Sequence, residues 1–149
     1  MFFIGHRETG EEVLPLLLRE VERHITAYGV TEFVLGNYGG FDRMAAKAVA
    51  EMKKRHPNIR LSMLLPYHPV ERVIPLPAPF DDSFYPEGLE NVPRRFAIVQ
   101  ANRRMVLCSQ YLIAYVWHPA SNAQKILDYG RRQEQRGEIT VTVLPRQER

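Results

Sequence analysis

Short apolar runs alternate along the chain with longer stretches in which apolar residues recur every three or four positions. Phe2, Phe3 and Ile4 end at Gly5 and read as a buried first strand. Leu14, Leu17, Leu18, Val21 and Ile25 then mark one face of a first helix reaching Gly29, with Pro15 in its first turn and a capping-box pattern, Thr9 and Glu12, ahead of it. Phe33–Leu35 forms a second strand that stops at Gly36. A glycine-rich turn leads from it into a second helix, whose Met44, Ala45, Ala48, Val49 and Met52 share a face. Leu61–Leu65 has the density of a strand covered on both sides. Residues 66–92 hold six of the chain's eleven prolines and no regular period, so they predict a long loop with room for one short helix. Pro93 opens a third helix carrying Phe96, Val99, Met105 and Val106, and Tyr111–Trp117 is the fourth strand. Ser121 caps a fourth helix with Ile126 and Leu127 that closes near Gly137. Ile139, Val141 and Val143, alternating with Thr140 and Thr142, then predict a fifth strand at a sheet edge.

This β-α-β-α-β-loop-α-β-α-β order, folded with right-handed crossovers, gives an α/β three-layer sandwich around a mostly parallel five-stranded sheet in the order 3-2-1-4-5. Residues 1–149 belong to one domain, since no repeat, linker or low-complexity tract divides them. With 45% apolar and 25% charged residues the chain can build its own core. The single Cys108 excludes an internal disulfide, and its apolar neighbours late in the third helix make it read as buried filling. No apolar run approaches membrane-spanning length, and residues 1–5 lack the pattern of a signal peptide, so the expected setting is the cytoplasm, without a membrane. His24, His56 and His68 have no partner pattern and read as surface residues. No metal site or cofactor is called for.

Charge is divided unevenly. Residues 1–93 hold 10 basic and 13 acidic side chains, and residues 94–149 hold 10 and 4. The basic half favours an anionic ligand or partner. In a sheet of this order the crevice lies where strand order reverses, at the carboxyl ends of strands 1 and 4. Gly5, His6 and Arg7 fall at that edge, and so do Gly36, Asn37, Gly39 and Gly40 as they enter the second helix. Glycines there allow backbone N–H groups to approach a phosphate, and the helix dipole favours the same charge. Asp42 serves either as an N-cap or as an acceptor for a ribose hydroxyl. Arg7 and Arg103 offer planar donor pairs for phosphate. His6 either donates to a phosphate or acts as a general base near neutral pH. Tyr38 and Tyr67 are candidates to stack on a base, while Arg94, Arg95 and Arg104 form a basic face.

The stretch Gly39-Gly40-Phe41-Asp42-Arg43-Met44-Ala45 resembles the Gly-x-Asp-x-x-Ala turn of the Smf/DprA proteins. Asn102-Arg103, with Ser109 beyond it and an apolar strand next, resembles the Asn-Arg helix of the same group. With the opening Gly5-His6-Arg7, Leu65-Pro66-Tyr67 and Tyr85-Pro86-Glu87-Gly88, the chain is similar to the SLOG superfamily, named for Smf/DprA and LOG proteins, and most similar to its small stand-alone members related to YpsA. The likeness implies a Rossmann-like fold holding a nucleotide or nucleotide-derived ligand, with Arg43 and Asn102 joining the candidate site. The LOG Pro-Gly-Gly-x-Gly-Thr-x-x-Glu signature is absent, Ala101 replaces an arginine, and Ser121-Asn122-Ala123 replaces Gly-Gly-Ala. The expected function is to sense or sequester a nucleotide-like small molecule. One alternative is a hydrolase, of N-glycosidase or phosphohydrolase type, acting on such a ligand. Another is DprA-like binding of single-stranded DNA. The exposed edge strand is compatible with a homodimer.

Overall fold

A computed structural model describes residues 1–68 and 75–148. Six strands form one wholly parallel sheet: β1 (Phe2–Gly5), β2 (Glu32–Leu35), β3 (Arg60–Leu64), β4 (Asp82–Phe84), β5 (Tyr111–Tyr115) and β6 (Thr140–Val143). Their spatial order is β4-β3-β2-β1-β5-β6. The expected order therefore holds for the five strands visible as apolar runs, and a sixth strand extends the sheet beyond β3. That strand lies in the stretch expected to be loop. All three of its residues are exposed, so it has no hydrophobic signature. Polar contacts attach it instead. Asp82 accepts from Arg60 at 2.9 Å and from the Ser62 hydroxyl, and Asp81 accepts from the Leu61 N–H at 2.8 Å and from Lys53 at 2.6 Å.

Helices cover both faces. On one side α1 (Leu14–Tyr28) packs against α2 (Gly40–Arg55), and on the other α3 (Ala97–Cys108) packs against α4 (Asn122–Gln135). Leu17 and Val21 of α1 meet Met44, Ala45, Ala48, Val49 and Met52 of α2 over Phe3 and Phe33. On the second face Ala101, Met105, Val106, Ile126 and Leu127 close over Phe2, Ile4, Leu112 and Ala114. Each fully buried large side chain contributes roughly 1.5–3 kcal/mol, so these two layers dominate the stability. Pro15 sits in the first turn of α1, where its missing N–H costs nothing, and Gly29 ends the helix at φ 69°.

Several local expectations change. The capping box at Thr9 does not form. Thr9 is buried with its Oγ1 unpartnered, and Glu12 reaches back to the Gly10 N–H at 3.0 Å from within a 3-10 turn (Glu11–Val13). A second 3-10 turn, Arg94–Phe96, precedes α3 and leaves Phe96 exposed. Cys108 is exposed, since α3 turns it away from the core. His24 is fully buried, stacked edge-on to Tyr28 and Tyr111, with Nδ1 donating to the Glu20 carbonyl at 2.7 Å. The β6 edge is partly closed, because its outward Val141 N–H donates to the Glu134 carboxylate at 2.7 Å. Among the described residues, no helix is long and apolar enough to cross a membrane.

Candidate functional site

Strand order reverses at β1, whose neighbours β2 and β5 lead to helices on opposite faces of the sheet. Beyond the carboxyl end of β1 lies a crevice of about 460 Å³, inside the roughly 300–1,000 Å³ range of small-ligand sites. Its walls come from the β1 end and following loop, the β2–α2 turn, one side of α3 and the first turn of α4. Seven of the predicted residues line it: Gly5, His6, Arg7, Gly36, Gly39, Asp42 and Asn102. Four do not. Asn37 is exposed outside it, and Gly40 is buried beneath it. Arg43 is exposed on α2, close enough for its charge to act on Asp42. Arg103 lies 5.3 Å from the Tyr129 ring centre, because residues 102 and 103 point about 100° apart around a helix and only Asn102 faces the crevice.

The glycine turn works differently from the expected phosphate cradle. Its glycines admit another stretch of backbone. A Cβ on Gly40 would lie 1.8 Å from the Thr9 carbonyl oxygen, and one on Gly39 would lie 2.6 Å from the Arg7 Cα. The Gly40 N–H donates to the Arg7 carbonyl at 2.8 Å and the Phe41 N–H to that of His6 at 3.3 Å. The first two donors of α2 are thus consumed within the protein. At α4 the case is opposite. Ser121 caps the helix by accepting from the Gln124 N–H at 3.1 Å, as expected, but the Asn122 and Ala123 N–H groups have no acceptor among the described residues. Ser121, Asn122 and Ala123 all line the crevice. The open helix start with its positive dipole end is therefore that of α4.

Asp42 occupies the third position of α2, not the N-cap, which is Gly39. Its Oδ2 accepts from the Tyr38 N–H at 3.1 Å and closes the turn from inside. Loss of hydration raises its carboxyl from 3.8 to about 6, opposed by the Tyr38 N–H and by the charges of Arg7 and Arg43. Tyr38, half-buried along the same wall, donates its hydroxyl to the Leu64 carbonyl at 3.4 Å, and burial pushes that hydroxyl far above its usual range. His6 is 6% exposed, and its Nε2 accepts from the Trp117 and His118 N–H groups at 3.0 and 3.2 Å. Burial lowers its pKa against the raising effect of Glu8.

The basic half remains unneutralised. Every ion pair between described residues lies within residues 11–82. Arg7 and Arg95, both exposed and both lining the crevice, have no carboxylate within 4.0 Å among the described residues. Arg94 stacks near Tyr67 at 5.5 Å and Arg104 packs against Gly88, so the arginines of the expected basic face go to separate neighbours. Tyr115 is buried in the core, and Trp117 packs edge-on to His6 at 4.6 Å. Arg95 and the α4 start were missing from the predicted site, although the strand order already directs both α3 and α4 to this end of the sheet. No protein-family model and no curated protein matches the chain.

Proposed function

We propose that the crevice binds a nucleotide or nucleotide-derived small molecule, which the protein senses or sequesters. The observation that carries this reading is the division of the crevice into two chemistries. On the α2 wall Asp42 presents a carboxyl, an acceptor for a sugar hydroxyl. Arg7, whose charge acts on Asp42 from the same side, and Arg95 have no carboxylate within 4.0 Å among the described residues and add positive charge, while the open first turn of α4, on the other face of the sheet, supplies N–H donors for an oxyanion. Between them Ile4, Ile98, Val99 and Ile126 give an apolar surface for a ring. The likeness of the Gly39–Ala45 turn and of Asn102-Arg103 to the SLOG superfamily adds to this reading. Native mass spectrometry of freshly purified protein, followed by thermal shift with a nucleotide panel, tests it. A retained phosphorylated metabolite, displaced by Arg7→Ala, supports it, and no shift with any nucleotide overturns it.

A hydrolytic activity on the same ligand is the second reading. Asp42, whose carboxyl is raised to about 6 by burial, is poised to exchange a proton near neutral pH. Product release from a nucleotide panel, lost in Asp42→Asn with binding retained, separates catalysis from binding alone.

A further inference from the structure

The two ring nitrogens of His6 have different surroundings. Nε2 accepts two backbone N–H groups at once, from Trp117 at 3.0 Å and His118 at 3.2 Å. A nitrogen in that position holds a lone pair, because a proton on it would be set against two donors. The neutral ring therefore carries its hydrogen on Nδ1. Among the described residues, the buried side-chain polar atoms without a partner are Thr9 Oγ1 and His24 Nε2. His6 Nδ1 is not one of them and has no hydrogen-bond partner among the described residues, so it keeps some access to solvent in a residue that lines the crevice. Trp117 fixes the ring from the side, its own ring edge-on at 4.6 Å and covered by Arg146 at 4.3 Å. Rotation of the imidazole would break both tethers and this packing together.

We propose that His6 is a tautomer-locked binding and positioning residue: Nε2 anchors the turn between β5 and α4, and Nδ1–H is a fixed donor that selects an oxyanion or carbonyl oxygen at this end of the crevice. The proposal rests on the ligand-binding reading above and adds to it a polarity. A donor group of a ligand would meet Nδ1–H head-on, whereas an oxygen acceptor satisfies it. His6 is thereby excluded as the general base, since its only lone pair is held by backbone. The same anchor sets where the Asn122 and Ala123 N–H groups lie, because residues 117 and 118 begin the turn that delivers them.

The test uses the full chain. Nitrogen-15 NMR of the histidine side chains at pH 7.5 reports the tautomer, and isothermal titration with inorganic phosphate and with adenosine monophosphate reports binding. Both are run on the wild type and on protein carrying Nδ-methylhistidine in place of His6. Methylation keeps the Nε2 acceptor and removes the Nδ1–H donor. The expected results are an Nδ1-protonated ring in the wild type and affinity for the phosphate-bearing probe about ten- to a hundredfold weaker after methylation, as for loss of a hydrogen bond to a charged group. The melting temperature should stay near that of the wild type, because the anchor survives. A ring protonated on Nε2, or unchanged affinity after methylation, overturns the proposal. Should the wild type bind neither probe, the nucleotide reading fails, and the tautomer spectrum still decides whether His6 is locked as a donor.

Discussion

Replacing Asp42 by asparagine should stabilise the protein above pH 6 and leave it unchanged near pH 4. In the folded state the carboxyl is raised from 3.8 to about 6, chiefly by burial. Between those two values the folded chain binds the proton and the unfolded chain does not, so stability falls as pH rises through that window and the full penalty persists above it. That rise corresponds to roughly 3 kcal/mol as an upper bound. The substitution removes the charge, while the amide oxygen of the new side chain still accepts from the Tyr38 N–H, so most of the turn survives. In a domain of this size that stabilisation corresponds to a rise in Tm on the order of 5–10 °C. Urea denaturation of both proteins at pH 4, 5, 6 and 8, with a common m-value, measures the difference directly. A gain that opens between pH 4 and 6 and stays constant beyond confirms the linkage. If Asp42→Asn is equally destabilising at pH 4 and pH 8, the carboxylate is a net structural asset and the reasoning fails.

Three further outcomes follow from the same geometry. Gly40→Ala places a Cβ against the Thr9 carbonyl oxygen, 1.8 Å away before relaxation, and should cost at least about 1–3 kcal/mol in chemical denaturation. Arg7→Ala and Arg95→Ala should each weaken adenosine monophosphate binding about tenfold in calorimetry, while Arg103→Ala, which removes a side chain stacked on Tyr129 outside the crevice, should leave the Kd unchanged. Cys108, exposed at the end of α3, should react with a thiol reagent at one equivalent per chain in native buffer, which a buried thiol would not.

The parts of the fold legible in the sequence are those whose signal is burial. Phe2–Ile4, Phe33–Leu35 and Leu61–Leu65 are continuous apolar runs because strands inside a parallel sheet are covered on both faces. β4 carried no such signal, since Asp82, Ser83 and Phe84 are exposed and ladder bonds with carboxylate contacts, not burial, hold them in register with β3. Phe96 misled for the converse reason: its apolar character counted towards a helix face, yet it falls in the preceding 3-10 turn and faces solvent. At the site, the crevice followed from strand order alone. Which groups in it remain free did not, because that depends on how the loop after β1 docks on α2. There the carbonyls of Arg7 and His6 occupy the donors of Gly40 and Phe41, a contact between segments more than thirty residues apart that no local pattern signals.

That docking separates the functions of the two turns at the crevice. The β2–α2 turn is closed by backbone on backbone, with Gly39 and Gly40 as the condition for the approach. Its one feature that closure does not explain is the charge on Asp42. An asparagine would close the same turn without the desolvation penalty, so the acid at this position costs stability that the turn itself does not require. The α4 turn is closed by Ser121 and anchored by His6, and its Asn122 and Ala123 N–H groups have no acceptor among the described residues. An acceptor on one wall and N–H donors at the start of α4 are what the proposed ligand, with a hydroxyl at one end and an oxyanion at the other, would use. A sugar phosphate has that form. A purely apolar ligand would leave both walls unsatisfied and displace their water without replacing its hydrogen bonds.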